Sequence, residues 1–336
     1  FRRVLFRSVV FWDLIERIKL LMKKLLWISI PLVIVFLLFT VIKIGPLFNF
    51  YLIPPSPKAY AKNAIDQMEL QGLYAKGEKW EETKSKVLKN TKHAKSYKET
   101  HPYIEEALRV AGRKHSFLEK ENNNHNSSNN VTYPKTSLNH SILTIKLPEF
   151  TGKQKEGKHY ANIVNHALQK KKYDGVILDL RNNTGGDMGP MIAGVSSLIK
   201  NRKLMTFIDK DNNKASVKLD GSETENGGTP VKLKHSKKVN DVPIAILLNN
   251  KTASSGELTA LSFKGNKKVK YFGQNTAGYT SSNTSIKLYD NAIMNLTTHK
   301  IKDNTGHVYE NNPIQPDSKT NEPKQDAMKW LKQQSH

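Results

Sequence analysis

Two stretches of the chain share one pattern of polar and apolar positions. Each begins with a mostly apolar run, breaks on polar residues and closes in a tight turn of small residues. In the first, residues 176–180 (VILDL) read as a buried strand, Asn182, Asn183 and Thr184 as the turn, and Gly185-Gly186 as its end. In the second, Ile244–Leu248 reads as strand, Asn249-Asn250-Lys251 as the break and Thr252-Ala253-Ser254-Ser255-Gly256 as the turn, with helix from Glu257 onward. Around them, apolar positions at helical spacing predict helices over residues 61–73, 80–90, 102–112, 159–169, 188–200 and 324–333. Strands are expected at 141–147 and 268–272. A hairpin joins 285–289 to 293–298 around Asp290-Asn291-Ala292. Strand-then-helix alternation around glycine-rich turns predicts an α/β fold.

The N-terminal pattern is different. Residues 25–42 are apolar apart from Ser29 and Thr40, with Pro31 inside. A helix over that run rises roughly 27 Å, close to the hydrocarbon thickness of a bilayer. Arg17, Lys19, Lys23 and Lys24 precede it, which predicts a cytoplasmic N-terminus and an extracytoplasmic remainder. The expected organisation is a cytoplasmic amphipathic segment (9–24), one uncleaved transmembrane helix (25–46), a helical region (56–120), a flexible polar loop (121–140) and a catalytic core (141–336). The first eight residues, FRRVLFRS, match the translation of a common sequencing-adapter tail and are set aside as an artefact.

The turns carry the candidate chemistry. A serine between strand and helix has its hydroxyl exposed beside the amides of the first helical turn, where developing negative charge is stabilised. Serines in this position usually act as helix caps. Paired glycines let a second backbone amide approach the same point.

Together the two segments resemble the C-terminal-processing, or tail-specific, serine peptidases. That family carries an LRxNxGG-like turn and a TASxSE-like or TASSGE-like turn. The resemblance implies a crotonase/ClpP-like ββα superhelix core. It also implies Ser254 as nucleophile and an oxyanion hole from the amides of Ser255 and of Gly185 or Gly186. One branch of the family places a lysine where this chain has Tyr279, and no lysine lies between Lys270 and Lys287. The chain is therefore more similar to the histidine-containing branch of the tricorn core protease and the interphotoreceptor retinoid-binding modules. There His115 in Arg113-Lys114-His115-Ser116 is the implied base and Glu310 the implied third member of a triad. Asp303 and Asp317 are the alternatives to Glu310. A hydroxyl nucleophile needs an adjacent base, and imidazole held by a carboxylate supplies one. Too few residues separate His115 from the 141–147 strand to hold a PDZ domain.

Bulk composition changes this picture little. There is no cysteine and no HExxH-like pair, so no metal site or other cofactor is expected. Net charge is +23, from 53 Lys and Arg against 30 Asp and Glu. The lysines are dispersed and do not interleave with aromatics, which argues against nucleic acid. For an anchored extracytoplasmic domain, anionic lipid or cell-wall polymer is the better electrostatic partner. The expected function is a membrane-anchored serine endopeptidase acting on peptides or protein C-terminal tails. The alternative is an inactive relative that binds peptides or a small apolar ligand.

Overall fold

A computed structural model describes residues 2–48, 50–120, 131–170, 172–239 and 242–334. The stretch ENNNHNSSNN at the start of the expected polar loop lies outside the described residues.

The chain opens with a 43-residue helix, α1 (Arg2–Ile44). The amphipathic segment and the apolar run expected separately are thus one continuous helix. Its portion Glu16–Ile44 is long and apolar enough to cross a membrane, and its most apolar stretch is not buried among the described residues. Ser29 and Thr40 do not interrupt it, because their hydroxyls donate back to the carbonyls of Leu26 and Phe36.

Three helices follow: α2 (Pro57–Gln71), α3 (Glu78–Asn90) and α4 (Tyr97–Gly112). They enclose a core of Tyr60, Ile65, Met68, Trp80, Val87, Ile104 and Leu108. Helix α4 starts a turn and a half before Pro102, where the sequence pattern began it. Ser96 caps the earlier start by accepting from the Glu99 amide, and Tyr97 and His101 gain partners there. A tight turn, Arg113–His115, ends the helical region.

The core then alternates strand and helix: β1 (Phe117–Glu119), β2 (Lys135–Asn139), β3 (Ile142–Lys146), α5 (Gln154–Lys170), β4 (Gly175–Asp179) and α6 (Met188–Val195). Next come β5 (Arg202–Ile208), β6 (Lys214–Asp220), β7 (Glu223–Glu225), β8 (Ile244–Leu248), α7 (Ser255–Leu261) and β9 (Val269–Gly273). Strands β10 (Ser281–Lys287), β11 (Ile293–Asp303), β12 (Val308–Tyr309) and β13 (Ser318–Lys319) precede the closing helix α8 (Pro323–Gln334). The fold is mixed α/β.

Two sheets form. One has the order β13-β9-β8-β4-β3-β2 and is parallel except for β2. Its central strands, β4 and β8, are buried along their whole length, as parallel strands covered on both faces must be. The other runs β1-β11-β5-β6-β7, with β10 and β12 also paired to β11, and every pairing in it is antiparallel. Strand β11 packs on α4, so the second sheet joins the helical region to the core. Strands β4 and β8 are neighbours, so the two turns that follow them emerge side by side at one sheet end. Helix α6 is shorter than expected, passing into a single tight turn at Ser196–Leu198.

Candidate active site

The two turns are bolted together through Asn183, which is fully buried. Its carbonyl accepts the Ala253 amide at 2.9 Å, and its side-chain oxygen accepts the Gly185 amide at 3.0 Å. Its side-chain nitrogen donates to the Leu147 and Pro148 carbonyls. Gly256 lies flat against it: a Cβ there would stand 2.8 Å from the Asn183 carbonyl oxygen. Thr252 adds a hydroxyl bond to the Leu180 carbonyl at 2.9 Å, and Ser255 donates to the Gly186 carbonyl.

Ser254 sits at the junction with φ +50° and ψ −122°, a conformation a side-chain-bearing residue holds only under constraint. The constraint is Glu257, three residues on. Its fully buried carboxylate accepts the Ser254 amide at 3.0 Å, the Gly278 amide at 2.9 Å, the Tyr279 amide at 2.7 Å and the Thr276 hydroxyl. Burial pushes the Glu257 carboxyl above the usual carboxylate range, against the lowering effect of these four donors. The residue was not singled out from sequence, although a carboxylate three positions after a capping serine is a recognisable spacing.

His115 comes from the turn that ends the helical region, 139 residues away in sequence, and its Nε2 lies 3.1 Å from Ser254 Oγ. The imidazole is buried (7% exposed). Burial, reinforced by the neighbouring Lys114 ammonium, lowers its pKa to about 4. At neutral pH it is therefore uncharged and can accept a proton from the hydroxyl.

The other ring nitrogen departs from expectation. Nδ1 meets Ser281 Oγ at 2.7 Å, and the Ser281 hydroxyl donates to Asn311 Oδ1 at 2.8 Å. Glu310 is not brought to His115. Tyr309 turns inward on β12, so the next side chain faces outward, half-exposed, where it pairs with Lys300 at 3.4 Å. The two other acids are engaged elsewhere. Asp303 holds its own turn through Thr305 and His307, and Asp317 accepts the Tyr271 amide.

Among the described residues, the amides of Ser255 and Gly186 have no protein acceptor, whereas that of Gly185 is spent on Asn183. Gly185 φ is +115° and Gly186 φ is +95°. A Cβ on Gly185 would come within 2.8 Å of Ser254 Cβ, so the glycine turn runs directly beside the serine. No cluster of histidines and acids able to hold a metal occurs among the described residues.

A hydroxyl with a neutral imidazole on one side and unclaimed amides beside it is the arrangement acyl-transfer chemistry requires. Residues 141–320 match the profile of peptidase family S41, and the chain belongs to that family. It is 42% identical over 291 residues to the nisin-resistance protein of Lactococcus lactis subsp. lactis, covering 86% of this chain and 92% of that one. Among solved structures it is similar to a lipoprotein from Streptococcus agalactiae, with 40% identity and a TM-score of 0.77 over 85% of this chain and 99% of that one. The photosystem II D1 C-terminal processing protease shares the fold at 14% identity and a TM-score of 0.57, covering 80% and 94%.

Proposed function

We propose that the protein is a serine endopeptidase in which Ser254 attacks a peptide carbonyl and His115 takes its proton. The observation that carries this reading is the 3.1 Å approach of His115 Nε2 to Ser254 Oγ across the junction of the helical region and the core. The tetrahedral oxygen rests on the Ser255 and Gly186 amides, each such donor being worth about 3 kcal/mol in the transition state. His115 then protonates the leaving amine, and water releases the acyl-enzyme. Ser281 orients the imidazole in the place expected for Glu310, so the working unit is Ser254-His115-Ser281.

Helix α1 anchors the enzyme in the cell membrane with the catalytic part outside, where substrates are peptides or protein tails. The relative named for nisin resistance makes nisin, or a peptide like it, the first substrate to try. The full chain in detergent, incubated with nisin and with a mixed peptide library, is to be compared by mass spectrometry with Ser254→Ala and His115→Ala. New termini made by the wild type and absent from both variants are expected. Termini that persist in Ser254→Ala would overturn the assignment.

A further inference from the structure

Lys114, next to the histidine, makes a contact that the serine-histidine pair does not by itself require. Its ammonium crosses to residues 276–279, donating to the Ala277 carbonyl at 2.9 Å and lying 4.8 Å above the Tyr279 ring. The same ring stands edge-on to His115 at 5.2 Å. The Gly278 and Tyr279 amides end on the Glu257 carboxylate, which also holds the Ser254 amide. The Ala277 amide donates to the Thr252 carbonyl at 2.9 Å. A closed ring of contacts therefore runs from His115 through Lys114, the 276–279 turn and Glu257 to Ser254, and back to His115 through the 3.1 Å hydrogen bond.

The ring spans the seam of the molecule. His115 belongs to the end of the helical region, whereas Ser254, Glu257 and the turn belong to the core. Nothing in the local sequence of either part fixes the distance between base and nucleophile. Two residues before His115, Arg113 is held at φ +59° with its guanidinium 3.8 Å from the Tyr74 ring. The Arg113–His115 turn is thus clipped twice by a cation on an aromatic ring, to Tyr74 and to Tyr279. Among the described residues the Lys114 ammonium is held by the Ala277 carbonyl and the face of the Tyr279 ring and not by a carboxylate.

We propose that Lys114 is a positioning residue for the reaction: by pinning the 276–279 turn to the segment that carries His115, it sets the register in which the imidazole meets Ser254. The inference rests on the peptidase reading above. The titratable and charged groups around the imidazole are Lys114 on its own turn, Tyr279 on the facing turn and Glu257 behind that turn. Ser281 and Asn311 lie on the Nδ1 side, and Arg113 flanks the turn. Of these, Lys114 contributes to the low His115 pKa, after burial itself.

The test compares Lys114→Met, Lys114→Gln and Lys114→Arg in the full chain. The His115 ring is titrated by NMR, its resonance assigned from His115→Ala, alongside kcat and kcat/KM against pH and the melting temperature. In Lys114→Met the His115 midpoint should rise from about 4 while staying below 6.5, since burial remains. The acid limb of kcat/KM should move the same way, and kcat should fall on the order of tenfold. Lys114→Gln, a donor without charge, should shift the midpoint but keep most of kcat. Lys114→Arg should restore both.

An unchanged kcat in Lys114→Met overturns the inference. So does a loss of activity that tracks the melting temperature alone and is not restored by arginine. Because the titration needs no substrate, a wild type that cleaves nothing would sink the peptidase reading while leaving the ring contact to be judged by NMR.

Discussion

His115 turns its Nδ1 to the hydroxyl of Ser281, 2.7 Å away, and not to a carboxylate. The hydroxyl in turn donates a hydrogen bond to Asn311 Oδ1, so the chain of bonds behind the base ends on a neutral amide. A carboxylate there would stabilise the imidazolium by charge; a hydroxyl fixes the ring's orientation and tautomer and contributes little beyond that.

Ser281→Ala should therefore lower kcat/KM on the order of tenfold by freeing the ring, far less than loss of the base itself. Glu310→Gln should remain close to wild type, because Glu310 is paired with Lys300 away from the ring. Steady-state kinetics on any cleaved peptide decides between them, and the reverse ranking would restore Glu310 as the third member.

Asn311→Asp is the complementary change. It places a charge at the end of the relay, two hydrogen bonds from the imidazole, and replaces an amide whose Nδ2 is buried without a partner. The His115 pKa should rise from about 4 and the acid limb of the pH–rate profile should move up with it. A profile superimposable on wild type would mean that the relay carries no electrostatic information.

The same histidine makes stability depend on pH. Its folded pKa of about 4 lies below the ordinary 6.5, so between these values the unfolded chain binds more protons than the folded one. This contribution is fully present above pH 6.5 and is lost as pH falls towards 4. It amounts to roughly 3 kcal/mol as an upper figure. Glu257, whose carboxyl is raised by burial, acts in the opposite sense as pH rises. The comparison must therefore be between wild type and His115→Phe. Denaturant melts at pH 7 and pH 4.5 should show a smaller acid loss in the variant.

Glu257→Gln should cost both stability and activity. Each carboxylate oxygen accepts two donors, Thr276 and Gly278 on one and Ser254 and Tyr279 on the other. An amide nitrogen in place of Oε2 faces two backbone donors with no acceptor, and in place of Oε1 it opposes the Gly278 amide. The buried mismatch should remove about 2–4 kcal/mol and release the strained Ser254 backbone. Chemical denaturation measures the first effect. A variant that melts like wild type would show that the carboxyl is protonated and already donating.

Much of this arrangement is legible along the chain, and the illegible parts share a cause. The runs Gly175–Asp179 and Ile244–Leu248 announce buried strands because every position is apolar or ends the run, and the small residues of the turns behind them mark where two backbones approach. Ser281 is hidden because it is one hydroxyl among many in Thr280-Ser281-Ser282-Asn283-Thr284. Only the pairing of β10 with β11 and the φ of +64° at Asn311 bring it under His115. Glu310 looked correct from order along the chain, but strand alternation at Tyr309 decides which way it points. Strand β6 escaped notice because KASVKLD is mostly polar, with only Val217 and Leu219 turned inward.

The glycine turn offers the sharpest steric prediction. Gly186 holds φ +95°, and a Cβ there would stand 2.0 Å from the Phe150 carbonyl oxygen, an atom of backbone that accepts the Asp187 amide and cannot swing aside. Gly186→Ala should therefore displace the turn, remove the amide proposed to hold the oxyanion and lower stability by at least about 2 kcal/mol. Gly221 is the control: its φ is +57° but nothing lies within 4 Å of its Cβ position. Gly221→Ala should cost only the left-handed backbone penalty, about 1 kcal/mol, and leave catalysis unchanged. If both substitutions melt alike and kcat survives in Gly186→Ala, the turn is not the oxyanion-binding element, and the Ser255 amide must act with a different donor.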